Sequence, residues 1–321
     1  MSQILATEEM PVLGHKYNKS NLTIIIPKEY KGYPVVAIKN EAFKKETRIK
    51  SVNISDNISV IGYEAFSGCT GLKNIELPES VVVIGENAFS ECRNLTSIEL
   101  SKNVELIGIG AFSGCTGLTS MTVDEKNPIF DSRLDCNAII ETKSNKLISG
   151  CKKTKIPDSV TSIESYAFSK CYSLTDLVIP NSVTSIKSYA FNECTGLTSV
   201  EIPNSINYIE RYVFYKCENL KSVVIPDSVT VIGSYAFSEC KSLTNIEIPT
   251  SVDTIRNYAF EGCTSLTSIV IPINVEYMGS YVFNNCTNLT VYCVAPGKPD
   301  KWKDDWGGNV NKIVWYYKNS K

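Results

Sequence analysis

The sequence predicts a solenoid of the α/β class, in which coils of about 23 residues stack on one another. One observation behind this prediction is a cysteine that follows three residues after nine of ten regularly spaced phenylalanines, so that nine of the twelve cysteines share one repeat position. A second observation is that the apolar spacing inside each unit changes from a helical to a strand period. The phenylalanines recur at one constant interval in two runs: Phe43, Phe66, Phe89 and Phe112, then Phe168, Phe191, Phe214, Phe237, Phe260 and Phe283.

Each unit is expected to contain a short helix. In residues 157–179, Ile163, Ala167 and Cys171 lie four residues apart, which places one apolar side chain per turn on a single helix face. The alternative fold is a parallel β-helix, which would need strands where the Ala-Phe-x-x-Cys segment stands. The helical spacing favours the first interpretation.

Each unit is also expected to contain one strand. Leu177 and Ile179 alternate with Asp176 and Val178, which is the two-residue period of a half-buried strand. Pro180 cannot donate to a ladder, so the strand should end there. A Ser or Asn two residues after each proline position is predicted to bond the backbone amides where the strand bends. This column contains Asn57, Ser80, Asn103, Ser159, Ser182, Ser205, Ser228, Ser251 and Asn274.

The repeat of about 23 residues is interrupted over residues 124–156. Strand-like stretches over 137–141 and 146–149 flank a Thr-Lys-Ser-Asn turn, which predicts an irregular β-hairpin coil. A hairpin that protrudes and binds a partner is one interpretation. We favour an insertion that changes only the curvature of the array.

The repeat array is predicted over residues 22–293, between a lead-in at 1–21 and a C-terminal cap at 294–321. Leu22–Ile26 is expected to form a cap strand at the start of the array. In the C-terminal cap, a helix carrying Trp302 and Trp306 on one face and a strand over 312–317 are expected to cover the last coil, because an open array end exposes its core.

The composition excludes several classes of function. The 32 basic and 34 acidic residues give a net charge of −2, which provides no global attraction for nucleic acid or an anionic membrane. His15 is the only histidine, which removes most histidine-based catalysis and zinc binding. The aliphatic runs are too short to span a bilayer or form a signal-peptide core. We therefore expect no cofactor, no metal ion, no catalytic residue and no membrane insertion.

The cysteine column allows three interpretations. Disulfides between equivalent positions are disfavoured because their Cα–Cβ bonds run parallel, and a metal ladder is disfavoured because no histidine column accompanies it. A row of small buried hydrophobic side chains is favoured. Cys136, Cys151 and Cys293 lie outside the column. A bond between Cys136 and Cys151 is an alternative that we do not predict.

Two outward columns of the strands are expected to form a concave floor that binds a partner. One column carries mainly Ser and Asn, and the other mixes carboxylates with valine. Neighbouring strands lie about 4.8 Å apart, so these side chains should follow one another along an extended polar surface. A solvated face without function, a binding surface and a carboxylate pair for glycosidic hydrolysis are the three interpretations, with catalysis the weakest. The candidate residues are Asn53, Glu76, Glu99, Asp176, Glu201, Val224 and Glu247.

A tyrosine row is the weaker candidate surface. Tyrosine stands two residues before the phenylalanine in six consecutive units, at Tyr166, Tyr189, Tyr212, Tyr235, Tyr258 and Tyr281. On the convex side such a row could bind sugars or apolar groups, with Tyr189, Tyr212, Tyr235 and Tyr258 as candidates. Rings that pack on one another and seal the surface are favoured instead.

The pattern L-x-x-h-x-I-P-x-S-V-x-x-I-x-x-x-A-F-x-x-C, as in residues 197–217 and 220–240, resembles the BspA-like class of bacterial leucine-rich repeats. The resemblance covers roughly residues 22–293. It implies a right-handed leucine-rich-repeat horseshoe with a concave parallel β-sheet and short convex helices. Two departures are Glu46 in place of the cysteine, and Val213 and Val282 in place of the alanine before phenylalanine.

The repeated positions of the sequence are explained by the stacking of coils and not by a catalytic site. We therefore expect a non-catalytic module that presents an extended surface to a protein or glycan partner. The resemblance implies adhesion to host matrix proteins or other cells, from a secreted or cell-surface location. The alternatives are a carbohydrate-active enzyme that uses the floor carboxylates and an intracellular, cytoplasmic scaffold. The second is favoured by the lack of a signal peptide in this chain and by the unpaired cysteines.

Overall fold

The computed structural model of the protein describes residues 4–6 and 22–318, and the chain divides into two compact units, Met1–Lys155 and Ile156–Lys321. Within each unit, most strands of successive coils pair in parallel in the register of the repeat, as in Val60 with Val83 and Val231 with Thr254. However, Asn74–Glu76 and Ser97–Leu100, and likewise Asn245–Ile246 and Ser268–Ile271, belong to separate sheets. The predicted stack of coils is therefore confirmed inside each unit. Among the described residues, no helix is long and apolar enough to cross a membrane.

A regular coil carries two strands, which we call its first and second strand. The first strands are Leu22–Ile26, Ile49–Ile54, Asn74–Glu76, Ser97–Leu100 and Ser120–Val123 in the first unit, and Ser199–Glu201, Ser222–Val224, Asn245–Ile246, Ser268–Ile271 and Thr290–Cys293 in the second. The second strands are Tyr33–Ile38, Val60–Ile61, Val83–Ile84 and Leu106–Ile107, then Ser162–Ile163, Ser185–Ile186, Tyr208–Ile209, Val231–Ile232, Thr254–Ile255 and Tyr277–Met278. Ile4–Ala6 pairs with Tyr33–Ile38 and so extends the second-strand row. The first unit also contains the short strand Glu29–Tyr30. A 3-10 segment, Arg133–Asp135, belongs to the irregular coil described below.

The predicted short helices are wrong, because turns occupy the Ala-Phe-x-x-Cys segment throughout the described coils. The N–H groups of Tyr189, Phe191 and Glu193 donate to carbonyls of the next coil, whereas those of Ala190 and Asn192 donate three residues back within their own coil. Tyr189 and Glu193 have φ values of 64° and 56°. Left-handed residues at this spacing interrupt an α-helix, and half of the amides leave the coil, so neither a helix nor a β-helix strand forms here.

The phenylalanines form a buried ring stack in each unit. Successive rings lie 5.2 to 5.7 Å apart between centroids, with planes within 14° of each other. Val213 and Val282, which replace alanine beside two of these rings, are also buried. Each interior ring therefore contacts two others, and the stack links each interior coil of a unit to both neighbours.

The cysteine column is buried, and all twelve cysteines are free thiols. The column does more than fill space, because its thiols donate hydrogen bonds to the phenylalanine carbonyl of the preceding coil. For example, Cys217 Sγ lies 3.2 Å from the oxygen of Phe191, and Cys240 Sγ lies 3.2 Å from that of Phe214. The first coil has no phenylalanine before it in the repeat and carries Glu46, which binds Arg48 instead.

The Ser and Asn column bonds backbone carbonyls rather than the amides that the sequence predicted. Ser228 Oγ donates to the oxygen of Ile206 at 2.6 Å, and Asn274 Nδ2 donates to that of Thr250 at 2.8 Å. The acceptors belong to the preceding coil. The column therefore ties adjacent coils together at the bend after each first strand.

The segment predicted as an irregular coil contains an antiparallel hairpin of Ala138–Glu141 with Lys146–Gly150, and Phe130–Asp131 pairs on its other side. Ala138, Ile139 and Leu147 are fully buried, so the hairpin strands belong to the core of the first unit. Cys136 and Cys151 donate weakly to nearby carbonyls and are not bonded to each other.

The C-terminal segment covers the last coil without the predicted helix, because residues 302–309 form turns. Trp302 and Trp306 are 2% and 3% exposed and meet edge to face at 5.0 Å. Trp306 also contacts Phe283, the last ring of the stack, at 6.1 Å. Lys312–Val314 pairs in parallel with Thr290–Cys293 and continues the first-strand row. Within the lead-in, His15 lies outside the described residues.

We expect Phe66→Ala to lower the free energy of unfolding by about 3–5 kcal/mol, because it leaves a cavity between two rings. Phe43→Ala should cost about 1 kcal/mol less, since Phe43 stacks only on Phe66. Denaturant unfolding of the full chain measures both. Equal losses would contradict the stacked arrangement, and Phe66→Leu serves as the milder variant if the alanine form does not accumulate.

The thiols of the folded chain should not react with a thiol reagent at neutral pH, while all twelve thiols of the unfolded chain should react. Burial raises the pKa of Cys217 from about 9 to about 12. The unfolded chain therefore loses thiol protons first, so the stability is complete below about pH 9 and falls as the pH rises towards 12, by at most about 1.4 kcal/mol per thiol and pH unit. Cys217→Ala should show a shallower fall between these pH values. Fewer than twelve thiols in denaturant, or an unchanged slope, would contradict this account.

Candidate functional site

The first-strand row presents its outward columns in register within each unit. Asn53 lies beside Glu76 in the first unit, and Glu201 lies beside Val224 in the second. The inward neighbours, such as Val200 and Val223, are buried. All seven candidate floor residues are exposed, namely Asn53, Glu76, Glu99, Asp176, Glu201, Val224 and Glu247.

The carboxylates of these columns have no basic partner within residues 4–6 and 22–318. Glu76, Glu99, Glu201 and Glu247 form no ion pair with any of the described residues, and Asp176 accepts only from Thr175. Some exposed carboxylates elsewhere are paired: Glu79 with Lys102, Glu218 with Lys241 and Glu276 with Lys301, each at 2.8 to 2.9 Å. The first-strand face therefore carries negative charge that no ion pair with the described residues compensates.

Apolar side chains interrupt this negative column in the second unit. Val178 is 83% exposed and Val224 is 58% exposed, and they alternate along the column with Glu201 and Glu247. Exposed valines do not stabilise the folded chain through burial, and their hydrophobic area becomes available to whatever covers the face. The arrangement suits contact with a surface that combines cationic and apolar groups.

One predicted first strand is missing. Residues 174–179 form no strand, although Asp176 and Val178 point outward and Ile179 is buried as the alternation predicts. Aspartate is disfavoured in strands, and leucine stands at 177 where most other coils carry a β-branched residue. These two departures are the sequence signal for the gap. The first-strand row of the second unit begins instead at Ser199–Glu201.

The tyrosine row consists of six partly exposed rings stacked on one another. Centroids of successive rings are 4.5 to 5.4 Å apart, and Tyr215 meets Tyr212 and Tyr235 edge-on. Burial raises the pKa of Tyr189, Tyr212 and Tyr235. Tyr258 stacks in the same row, so the faces of all four candidate rings are covered by their neighbours. Only ring edges and hydroxyl groups are left for a ligand.

Every tyrosine of this row has a left-handed backbone, as do the residues at the same position of the first unit, Glu41, Glu64, Asn87 and Gly110. The position two residues before the phenylalanine therefore requires a left-handed backbone, whichever residue occupies it. The left-handed conformation costs a non-glycine residue about 1–2 kcal/mol. Contacts between stacked rings, worth about 0.5–1.5 kcal/mol per pair, offset a cost of that size. The row is thus explained as part of the scaffold.

The chain offers no arrangement of metal ligands within residues 4–6 and 22–318. Burial raises the pKa of Cys194, Cys240 and Cys263 well above the ordinary thiol value, which keeps these groups protonated and poor as nucleophiles. The buried cysteines therefore offer no thiolate nucleophile at the surface.

Comparison with known proteins finds the BspA type leucine-rich repeat region, six copies of which match residues 36–146, 139–226 and 208–296. No curated protein sequence matches the chain. Among solved structures, a leucine-rich repeat protein from Eubacterium ventriosum is 19% identical with a TM-score of 0.64, covering 90% of this chain and 95% of its own. The pneumococcal vaccine antigen PcpA is 19% identical with a TM-score of 0.62, covering 94% and 90%. A leucine rich cell surface protein from Faecalibacterium prausnitzii is 23% identical with a TM-score of 0.54, covering 94% and 92%.

The matched segments together extend over residues 36–296, which is most of the repeat array described above. The similar structures share the fold of stacked coils, although few of their residues are identical to those of this chain. The chain belongs to the family of BspA-type leucine-rich repeat proteins.

Proposed function

We propose that the protein is a non-catalytic interaction module that binds a protein partner through its first-strand face. The observation that carries this proposal is the column of exposed carboxylates, Glu76, Glu99, Glu201 and Glu247, which lack any cationic partner among the described residues. Unpaired charge of one sign on a fixed strand lattice attracts a surface of opposite charge and orients it as it approaches.

The rigid lattice supports the same role. Side chains of paired strands are held at a fixed spacing by the buried column beneath them, which includes Val200, Val223 and Ile246. A preorganised surface loses little conformational entropy when a partner binds. Val224 adds apolar area between the two carboxylates of Glu201 and Glu247.

The partner class that we propose is a host matrix protein or another cell's surface protein, bound from a secreted or cell-surface location. The family supports this proposal, and so does the cell surface protein of Faecalibacterium prausnitzii that shares the fold. An intracellular scaffold is the second candidate. It is favoured by the twelve free cysteines, because cysteines usually stay reduced in the cytosol.

Glu201→Lys combined with Glu247→Lys should weaken capture of the partner at least tenfold, because both substitutions reverse charge on the first-strand face. The measurement is binding of the full chain to a panel of purified matrix proteins at low and high salt. Salt should weaken wild-type binding and leave the variant little changed.

The matched control is Asp253→Lys with Glu276→Lys, which changes the net charge equally on the second-strand side of the same unit and should leave binding intact. Tyr212→Ser with Tyr235→Ser tests the other surface and should reduce stability without reducing capture. Equal capture by wild type and the floor variant would rule out the first-strand face, and loss of capture only in the tyrosine variant would transfer the function to that row.

Location is tested on intact producing cells. If the protein is at the surface, added protease should degrade it while a cytosolic marker survives, and an antibody should label unpermeabilised cells. Protection from protease until the cells are lysed would support the intracellular scaffold instead.

A further inference from the structure

The missing first strand leaves a gap in the ladder of the second unit. Thr244 and Lys221 each donate a backbone hydrogen bond to the carbonyl one repeat earlier, on Lys221 and Thr198. Within the described part of the chain, no backbone hydrogen bond joins residues 175–179 to residues 198–202. Ser199–Glu201 pairs with Ser222–Val224 on one edge only, so its other edge presents unpaired N–H and C=O groups.

A second, independent sign of the gap is the hydroxyl of Ser182. Ser205, Ser228 and Ser251 occupy the same column and donate to the carbonyl 22 residues earlier. The equivalent acceptor for Ser182 is Val160, but Ser182 Oγ is buried and has no hydrogen-bond partner among the described residues. Buried polar atoms are nearly always satisfied, so this missing hydrogen bond marks a local departure from the bonding pattern of the repeat.

The gap opens into a groove of about 670 Å³. The corresponding concavity of the first unit, where Ile49–Ile54 and Asn74–Glu76 pair normally, measures about 370 Å³. Both volumes lie within the range of about 300–1,000 Å³ that is typical of ligand sites, and the groove beside the unpaired edge is the larger of the two. The loss of ladder pairing therefore coincides with a space large enough for a short segment of chain.

The residues that line the groove indicate which kind of ligand it can bind. Asp158 and Glu201 supply two carboxylates that form no ion pair with a described residue, and none of the lining side chains is basic. Leu177 and Val178 supply apolar surface, with Val178 83% exposed. Together with the unpaired edge of Ser199–Glu201, these groups complement a cation, an aliphatic side chain and a peptide backbone.

We propose that this groove binds a short extended segment of a protein partner, in which a Lys or Arg residue adjoins an aliphatic residue. The backbone of the segment bonds to the free edge of Ser199–Glu201, its cation lies between Asp158 and Glu201, and its aliphatic side chain covers Val178. The inference rests on the proposed function, since it locates one part of the partner contact on the first-strand face.

The test pans a phage-displayed random heptapeptide library against the immobilised full chain. Enriched peptides should contain Lys or Arg next to an aliphatic residue. Their affinity should fall at least tenfold for Asp158→Lys with Glu201→Lys. Asp253→Lys with Glu276→Lys, on the second-strand side of the same unit, changes the net charge equally, is the matched control and should bind as wild type does.

Two further readouts separate backbone pairing from simple charge attraction. N-methylation of single amides in an enriched peptide should abolish binding at alternate positions only. Hydrogen exchange in the complex should slow in residues 176–178 and 199–201 and not in residues 51–54.

Absence of enrichment, enrichment of peptides without a basic residue, or equal binding by the Asp158→Lys with Glu201→Lys variant would overturn the groove proposal. If peptides fail but matrix-protein capture still depends on Glu247, the groove proposal alone is wrong. If peptides bind as expected while no substitution on the first-strand face affects matrix-protein capture, the groove stands and the proposed function is wrong.

Discussion

The hydrogen bonds that each coil exchanges with its neighbours are the constraint on which the rest of the molecule depends. Because equivalent residues of adjacent coils lie side by side, one repeated pattern satisfies backbone and side-chain groups many times over. The strand amides, alternate amides of the turns, the thiols of the cysteine column and the hydroxyls and amides of the Ser and Asn column all bond between coils. A substitution in one coil therefore acts on two interfaces, and a coil by itself lacks half of its partners.

The same constraint accounts for the left-handed residues. A turn segment that alternates bonds within its coil and to the next coil has to reverse its backbone direction every few residues, which places Tyr189 and Glu193 at positive φ. Glycine, asparagine or glutamate occupies the first of these two positions in some coils, and stacked tyrosine occupies it in others. Stacking of the tyrosine rings thus offsets the cost of the left-handed backbone, and the covered ring faces agree with that role.

The residues that we propose to bind a partner lie where the repeat is least constrained. Outward positions of the first strands make no contact with the core, so they can vary without loss of stability, and there the chain carries unpaired carboxylates and exposed valines. The gap beside Ser199–Glu201 goes further, because it combines free backbone groups, an unsatisfied hydroxyl and two carboxylates in one groove. The regular coils on either side hold the residues that border this gap in place.

The sequence by itself determined the period, the buried Phe and Cys columns, the outward columns of the first strands and the hairpin stretches near 137–141 and 146–149, because these follow from spacing and hydrophobicity. Only the tertiary structure decided that Ile163 lies in a short strand and Ala167 in a turn rather than both on one helix face with Cys171, that the thiols are hydrogen-bond donors, and that residues 174–179 leave the ladder. The physical reason is that a four-residue apolar spacing is shared by a helix and by consecutive turns. The choice between them depends on partners a full repeat away, in the next coil, which local spacing does not reveal.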